Sequence, residues 1–141
     1  MTVTFFGHRD TTSDILPKLT ATLRGLIENN GADTFYVGNN GNFDSLVCRA
    51  LKNLSNEYPH IKYFVVLAYY TTSASADPEV NTIVFDGIET AHPRYAIVKR
   101  NEFMINKADT VVCYVKFSGG GSYRFCELAK KKSKTVINLA E

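Results

Sequence analysis

Apolar positions along this chain switch between two periods. Short β-branched runs alternate with longer stretches in which the apolar residues return every three or four positions. Residues 3–6 form an apolar run that stops at Gly7. Ile15, Leu16, Leu19, Leu23, Leu26 and Ile27 then follow at helical spacing. Ser13 and Asp14 offer N-caps to that helix, Pro17 is tolerable in its first turn, and Asn30-Gly31 closes it. A strand over 34–37 leads through a second glycine turn into Phe43, Leu46, Val47, Ala50, Leu51 and Leu54, an amphipathic helix that ends before Pro59. Residues 62–69 (KYFVVLAY) are continuously apolar and β-branched-rich, as in a strand buried on both faces. Between Tyr70 and His92 the alternation breaks, and Thr82-Ile83-Val84-Phe85 reads as a short extra strand or hairpin within a long connection. Such a connection in a compact domain points to a lid or an oligomer contact. A helix over 93–107, a strand over 110–115, a helix over 122–132 and a strand over 135–139 complete the pattern.

The order β-α-β-α-β-(loop)-α-β-α-β predicts one α/β domain spanning 1–141 with a mainly parallel central sheet. Parallel neighbours need right-handed crossovers, which lay helices on both faces. The expected strand order is 3-2-1-4-5, with a topological switch between the first and fourth strands, where open α/β sheets bind ligands beyond the strands' carboxyl ends. Three glycine-marked turns fall at those ends: Phe6-Gly7-His8-Arg9, Gly38-Asn39-Asn40-Gly41-Asn42 and Ser118-Gly119-Gly120-Gly121-Ser122. Bare backbone at a helix start presents N–H groups in the positive end of the helix dipole, which suits a phosphate. None of the turns is a Walker loop or a GxGxxG fingerprint.

The candidate ligand-binding residues are Gly7, His8, Arg9, Gly38, Asn39, Asn40, Gly41, Asp44, Arg100, Asn101, Gly119, Gly120, Gly121 and Ser122. Of Arg9, Arg94, Arg100 and Arg124, Arg9 is the strongest anion partner because it directly follows the first strand turn. Arg100 lies among apolar neighbours, where a solvated arginine is not expected. His8 is a phosphate donor, an acid or base, or a structural hydrogen-bonding group. Asp44 either favours the helix dipole or accepts a ribose hydroxyl. Glu127 is a carboxylate base, a ribose ligand or an ordinary surface glutamate. The asparagines and glycines of the second turn equally suit a plain turn. Tyr69, Tyr70, Tyr95, Phe43 and Tyr123 are candidates to stack on a base or to sit in the core, and Lys130-Lys131-Lys132 with Lys134 reads as a solvated helix end.

Composition narrows the partners. A net charge of +2 on 141 residues gives no argument for nucleic acid or a membrane surface. The longest apolar run is too short to span a bilayer, and residues 1–6 read as a strand rather than a signal peptide. Cys48, Cys113 and Cys126 lack CxxC spacing, which points to reduced thiols in a cytoplasmic protein, with no metal and no cofactor implied.

Taken in order, Phe6-Gly7-His8-Arg9, Gly38-x-x-Gly41-x-x-Asp44, Arg100-Asn101-x-x-Met104, Ala108-Asp109 and the glycine run followed by Ala129 resemble the SLOG (Smf/DprA–lonely-guy) superfamily. The pattern is most similar to its small single-domain YpsA-like branch. The resemblance implies a Rossmann-like three-layer sandwich that binds nucleotides or nucleotide-derived ligands and forms a homodimer or higher homo-oligomer. Aligned with the lonely-guy phosphoribohydrolases, Arg100 and Glu127 fall on their catalytic arginine and glutamate. Asn101 replaces their lysine, Gly119 a proline, and Tyr123-Arg124 a Gly-Thr pair, which alters the phosphate cradle. The expectation is therefore a protein that senses or sequesters an ADP-ribose, cyclic ADP-ribose or NAD-derived signalling ligand. Hydrolysis of a nucleoside monophosphate is the rival, and nucleic acid is set aside because the DNA-processing members use further domains.

Overall fold

The computed structural model describes residues 1–68, 82–84 and 95–141. Its sheet contains β1 (Thr2–Gly7), β2 (Thr34–Val37), β3 (Lys62–Leu67), β4 (Thr82–Val84), β5 (Thr110–Tyr114) and β6 (Thr135–Asn138). All are parallel, in the order β4-β3-β2-β1-β5-β6. The expected five-strand order is present within it, and the extra segment is an edge strand in register with β3, Val65 opposite Thr82. A three-residue edge strand offers little unpaired backbone to another chain.

Helices α1 (Leu16–Asn30), α2 (Asn42–Glu57), α3 (Ala96–Lys107) and α4 (Gly120–Lys131) cover the sheet. Two starts differ from expectation. A 3-10 turn over Ser13–Ile15 precedes α1, so neither Ser13 nor Asp14 caps that helix. Helix α4 begins two residues before the expected 122, because Gly119 and Gly120 enter it at φ of +96° and +83°, a region only glycine adopts readily. Positions 93 and 94, where α3 was expected to start, lie outside the described residues, as does most of the 70–92 connection.

Strand periodicity divides the core in two. Val3 and Phe5 of β1 face one side, with Phe35, Val37 and Val112, and pack under Leu19 and Leu23 of α1 and Val47 and Leu51 of α2. Phe6 faces the other side with Val66, Val111 and Cys113, under Met104 and Ile105 of α3 and Phe125 and Ala129 of α4. Both faces are thus covered, which is why these strands read as continuous apolar runs. Phe6 stacks on Phe125 with ring centroids 5.5 Å apart, holding the first turns of α4 against the end of β1. No helix among the described residues is long and apolar enough to cross a membrane.

Candidate functional site

The switch between β1 and β5 opens into a cavity of about 420 Å³ beyond the strands' carboxyl ends. Gly7, His8 and Arg9 border it from the end of β1, Asn40 and Asp44 from α2 and the turn before it, Arg100 and Asn101 from α3, and Gly119–Gly121 with Ser122 from the start of α4. The first and second turns are locked together: the Asn42 N–H donates to the Arg9 carbonyl at 2.9 Å. A Cβ on Gly41 would lie 2.6 Å from the Arg9 Cα, so no side chain fits there. Gly38, Asn39 and Gly41 do not line the cavity; a Cβ at Gly38 would meet the Asp44 carboxylate at 2.9 Å and the Arg100 guanidinium carbon at 3.0 Å.

Arg100 is 2% exposed. Its Nε–H donates to Asn101 Oδ1 at 2.7 Å, and its Nη1 donates to Asn39 Oδ1 at 3.0 Å and to the Val66 carbonyl at 3.1 Å. This guanidinium braces α3, the turn before α2 and the end of β3 against one another. Asp44 is also buried and accepts the Asn40 N–H at 2.9 Å. Burial pushes its carboxyl up to about 6, against the opposing pull of that N–H and of Arg100. A group whose folded pKa is raised binds more protons in the native state, so the stability it contributes is full below its unfolded pKa and is lost as pH rises through the folded one. For Asp44 the loss is roughly 3 kcal/mol between about pH 4 and pH 7. Urea unfolding of wild type and Asp44→Asn across that range should give a stability difference, wild type minus variant, that falls with rising pH; a constant difference would refute the assignment.

The helix starts at the two turns are electrostatically unlike. At α2 the first turn carries the protein's own Asp44, whose carboxylate accepts the N–H of Asn40 just before the helix. At α4 the first turn carries no acidic residue, and among the described residues a Cβ at Gly119, Gly120 or Gly121 would meet nothing within 4 Å. The N–H groups of a first turn have no intrahelical acceptor, so this start offers orphan donors to open space. The Ser122 hydroxyl borders the cavity and donates to the Gly7 carbonyl at 2.7 Å, which fixes α4 to β1.

His8 accepts the Lys116 N–H on Nε2 at 3.0 Å, which puts its ring hydrogen on Nδ1 and gives the residue a structural role. Its ring stacks on Phe117, centroids 4.3 Å apart at 9°. Phe117 is 61% exposed, an aromatic face presented at the cavity mouth. Sequence reasoning passed over Phe117. The available signal was its setting: an aromatic residue two positions before a glycine run has no helical or strand register that would bury it.

Other candidates fall elsewhere. Glu127 does not line the cavity; its carboxylate pairs with Lys130 at 3.2 Å on the outer side of α4. Phe43 is a core residue under the Gly7 turn. Tyr69, Tyr70, His92 and Arg94 lie outside the described residues. Among the described residues no three His, Cys, Asp or Glu side chains gather where they could hold a metal.

By sequence, no family model and no curated protein matches the chain. By fold, it is similar to DNA processing protein A (DprA) from Streptococcus pneumoniae, with a TM-score of 0.71, 17% identity, and 97% of this chain against 49% of that one. It is similar also to DNA processing protein A from Helicobacter pylori, whose structure concerns its single-stranded DNA binding mode, with a TM-score of 0.63, 17% identity, and 98% against 64%. The chain thus spans about half of the first and under two thirds of the second. The shared fold is a Rossmann-like sandwich with helices on both faces of a parallel sheet.

The Helicobacter protein's ligand overturns two expectations drawn from the sequence. One is a nucleotide-derived small molecule, ADP-ribose-like or NAD-derived, with phosphoribohydrolase chemistry as the rival. The other is the setting aside of nucleic acid as a partner. The physical reasons are local. A net charge sums over the whole chain and is silent about how backbone donors and an aromatic face are arranged at one cleft. The glutamate assigned to hydrolysis lies outside the cavity, and the carboxylate bordering it, Asp44, is committed to the Asn40 N–H.

Proposed function

We propose that this chain binds single-stranded DNA across the carboxyl edge of its sheet, with a backbone phosphate on the start of α4 and a base on the His8–Phe117 platform. The observation that carries this reading is the juxtaposition of an acid-free, open helix start and an exposed stacked aromatic pair on the same cavity. The N–H groups of Gly120, Gly121 and Ser122 take the phosphate, and exposed Arg9 at the rim adds a charge-assisted contact. Stacking on Phe117 tolerates any base, because every base has a π-face. The fold shared with a single-stranded-DNA-binding neighbour supports the same reading. Within the superfamily we assign the chain to the single-domain YpsA-like branch on its GHR start and RN-x-x-M helix. Arg100, Asn101 and Met104 of that second motif are all buried, so it serves to brace the pocket.

Anisotropy titration of a labelled oligothymidine tests the reading. Phe117→Ala should weaken binding by about tenfold, within the roughly 1–3 kcal/mol that base–aromatic stacking contributes. The melting temperature should hold, since the side chain is exposed. Arg9→Ala should weaken binding and lower the salt slope by about one phosphate contact. Failure of the wild-type protein to bind oligothymidine at low salt would overturn the proposal.

A further inference from the structure

We infer that the groove between α3 and α4 is a second strand-binding surface, which carries the DNA onward from the glycine turn toward Lys131 and Lys132. The inference rests on the function proposed above and extends it beyond the cavity. A depression of about 720 Å³ shares Gly119, Gly120 and Phe125 with the cavity and runs along α4 past Tyr123 and Arg124 to Lys131 and Lys132. The two surfaces are therefore continuous, and a chain seated at the helix start has an open path in this direction.

The groove's charge suits the same ligand. Arg124 and Lys131 are seven residues apart and lie on one face of α4, separated by about 10 Å along its axis. Both are exposed. Lys132 reaches across to Asn106 of α3 at 2.6 Å, which fixes a third cation at the far end. Two acidic residues face these cations: Glu102 of α3 borders the groove, while Glu127 is offset by Lys130 at 3.2 Å. The balance is positive. Half-buried Tyr123 supplies an aromatic surface between the glycine turn and the cations. A positively charged groove interleaved with an aromatic residue is how single strands are held without sequence preference. A solvated helix end explains cations near a C-terminus through the dipole, yet it does not explain their sharing a groove with the glycine turn.

The occupant is the continuation of the strand bound at the glycine turn, so the prediction is one of length. Oligothymidines of about 4 and about 16 nucleotides are titrated against wild type and an Arg124→Ala/Lys131→Ala double variant, spanning the usual site sizes of single-strand binders. The short oligomer should bind both proteins within about twofold, because it fills only the cavity. The long one should bind wild type about tenfold more tightly than the short one. In the double variant most of that advantage should vanish, and the salt slope for the long oligomer should fall by about two contacts. Equal affinity of wild type for the two lengths, after correction for the number of registers, overturns the second surface and leaves the cavity reading intact. An unchanged length advantage in the double variant overturns it as well. Absence of short-oligomer binding to wild type removes both.

Discussion

Arg100→Ala should destabilise the protein by about 3–5 kcal/mol, the range for breaking a buried charge arrangement by removing one partner. The guanidinium is 2% exposed and donates to Asn101, Asn39 and the Val66 carbonyl, and its charge is the one that opposes the upward shift of Asp44. Truncation strands the buried Asn101 and Val66 acceptors away from water and removes the Arg100 charge that faces the Asp44 carboxylate. Each unmet buried group costs about 1–3 kcal/mol. Against a total stability of about 5–15 kcal/mol the loss is severe, and a melting temperature lower by about 10 °C is expected. Arg100→Lys should recover little of it, since an ammonium cannot span three acceptors in the fork geometry of a guanidinium. A drop of under about 3 °C by calorimetry would show that the brace contributes almost nothing. The alignment with phosphoribohydrolases placed a catalytic arginine at this position; the geometry gives it the work of holding three elements together.

The parts of the fold legible in the sequence were those with strong periodicity. Residues 3–6, 34–37, 62–67 and 110–114 are predominantly apolar, and the helices between them carry clean stripes, so the parallel order follows from connection handedness. β4 was ambiguous because three residues cannot distinguish a hairpin arm from an edge strand. The start of α4 was misplaced because glycine counts as a helix breaker by propensity, whereas here two glycines supply the positive φ that turns the chain into the helix. At the site, the glycine turns and the unusual setting of Arg100 were readable. The contrast between the two helix starts was not, because it depends on the Asp44 carboxylate folding back to Asn40. Phe117 carries no periodicity, and stacking against His8 is a tertiary event. The expectation against nucleic acid leaned on formal charge, to which backbone amides and aromatic faces add nothing.

Gly121→Asp is expected to separate binding from stability. Unlike Gly119 and Gly120, Gly121 does not need a positive φ, and a Cβ there meets nothing within 4 Å among the described residues. A carboxylate in the first turn of a helix stabilises it by about 0.3–1 kcal/mol, so the variant should melt at or slightly above the wild-type temperature. The same carboxylate would compete for the orphan N–H groups and repel a phosphate, placing in the first turn of α4 the acidic side chain that α2 carries in Asp44. Loss of charge-assisted hydrogen bonds worth about 1.5–3 kcal/mol corresponds to a binding defect of about tenfold or more.

Side-by-side anisotropy titrations of wild type and Gly121→Asp with a labelled oligothymidine at low salt are the most direct measurement of where the phosphate sits. A phosphate held at the start of α4 requires the variant to bind at least about tenfold more weakly while remaining fully folded. Equal affinity of the two folded proteins would contradict it.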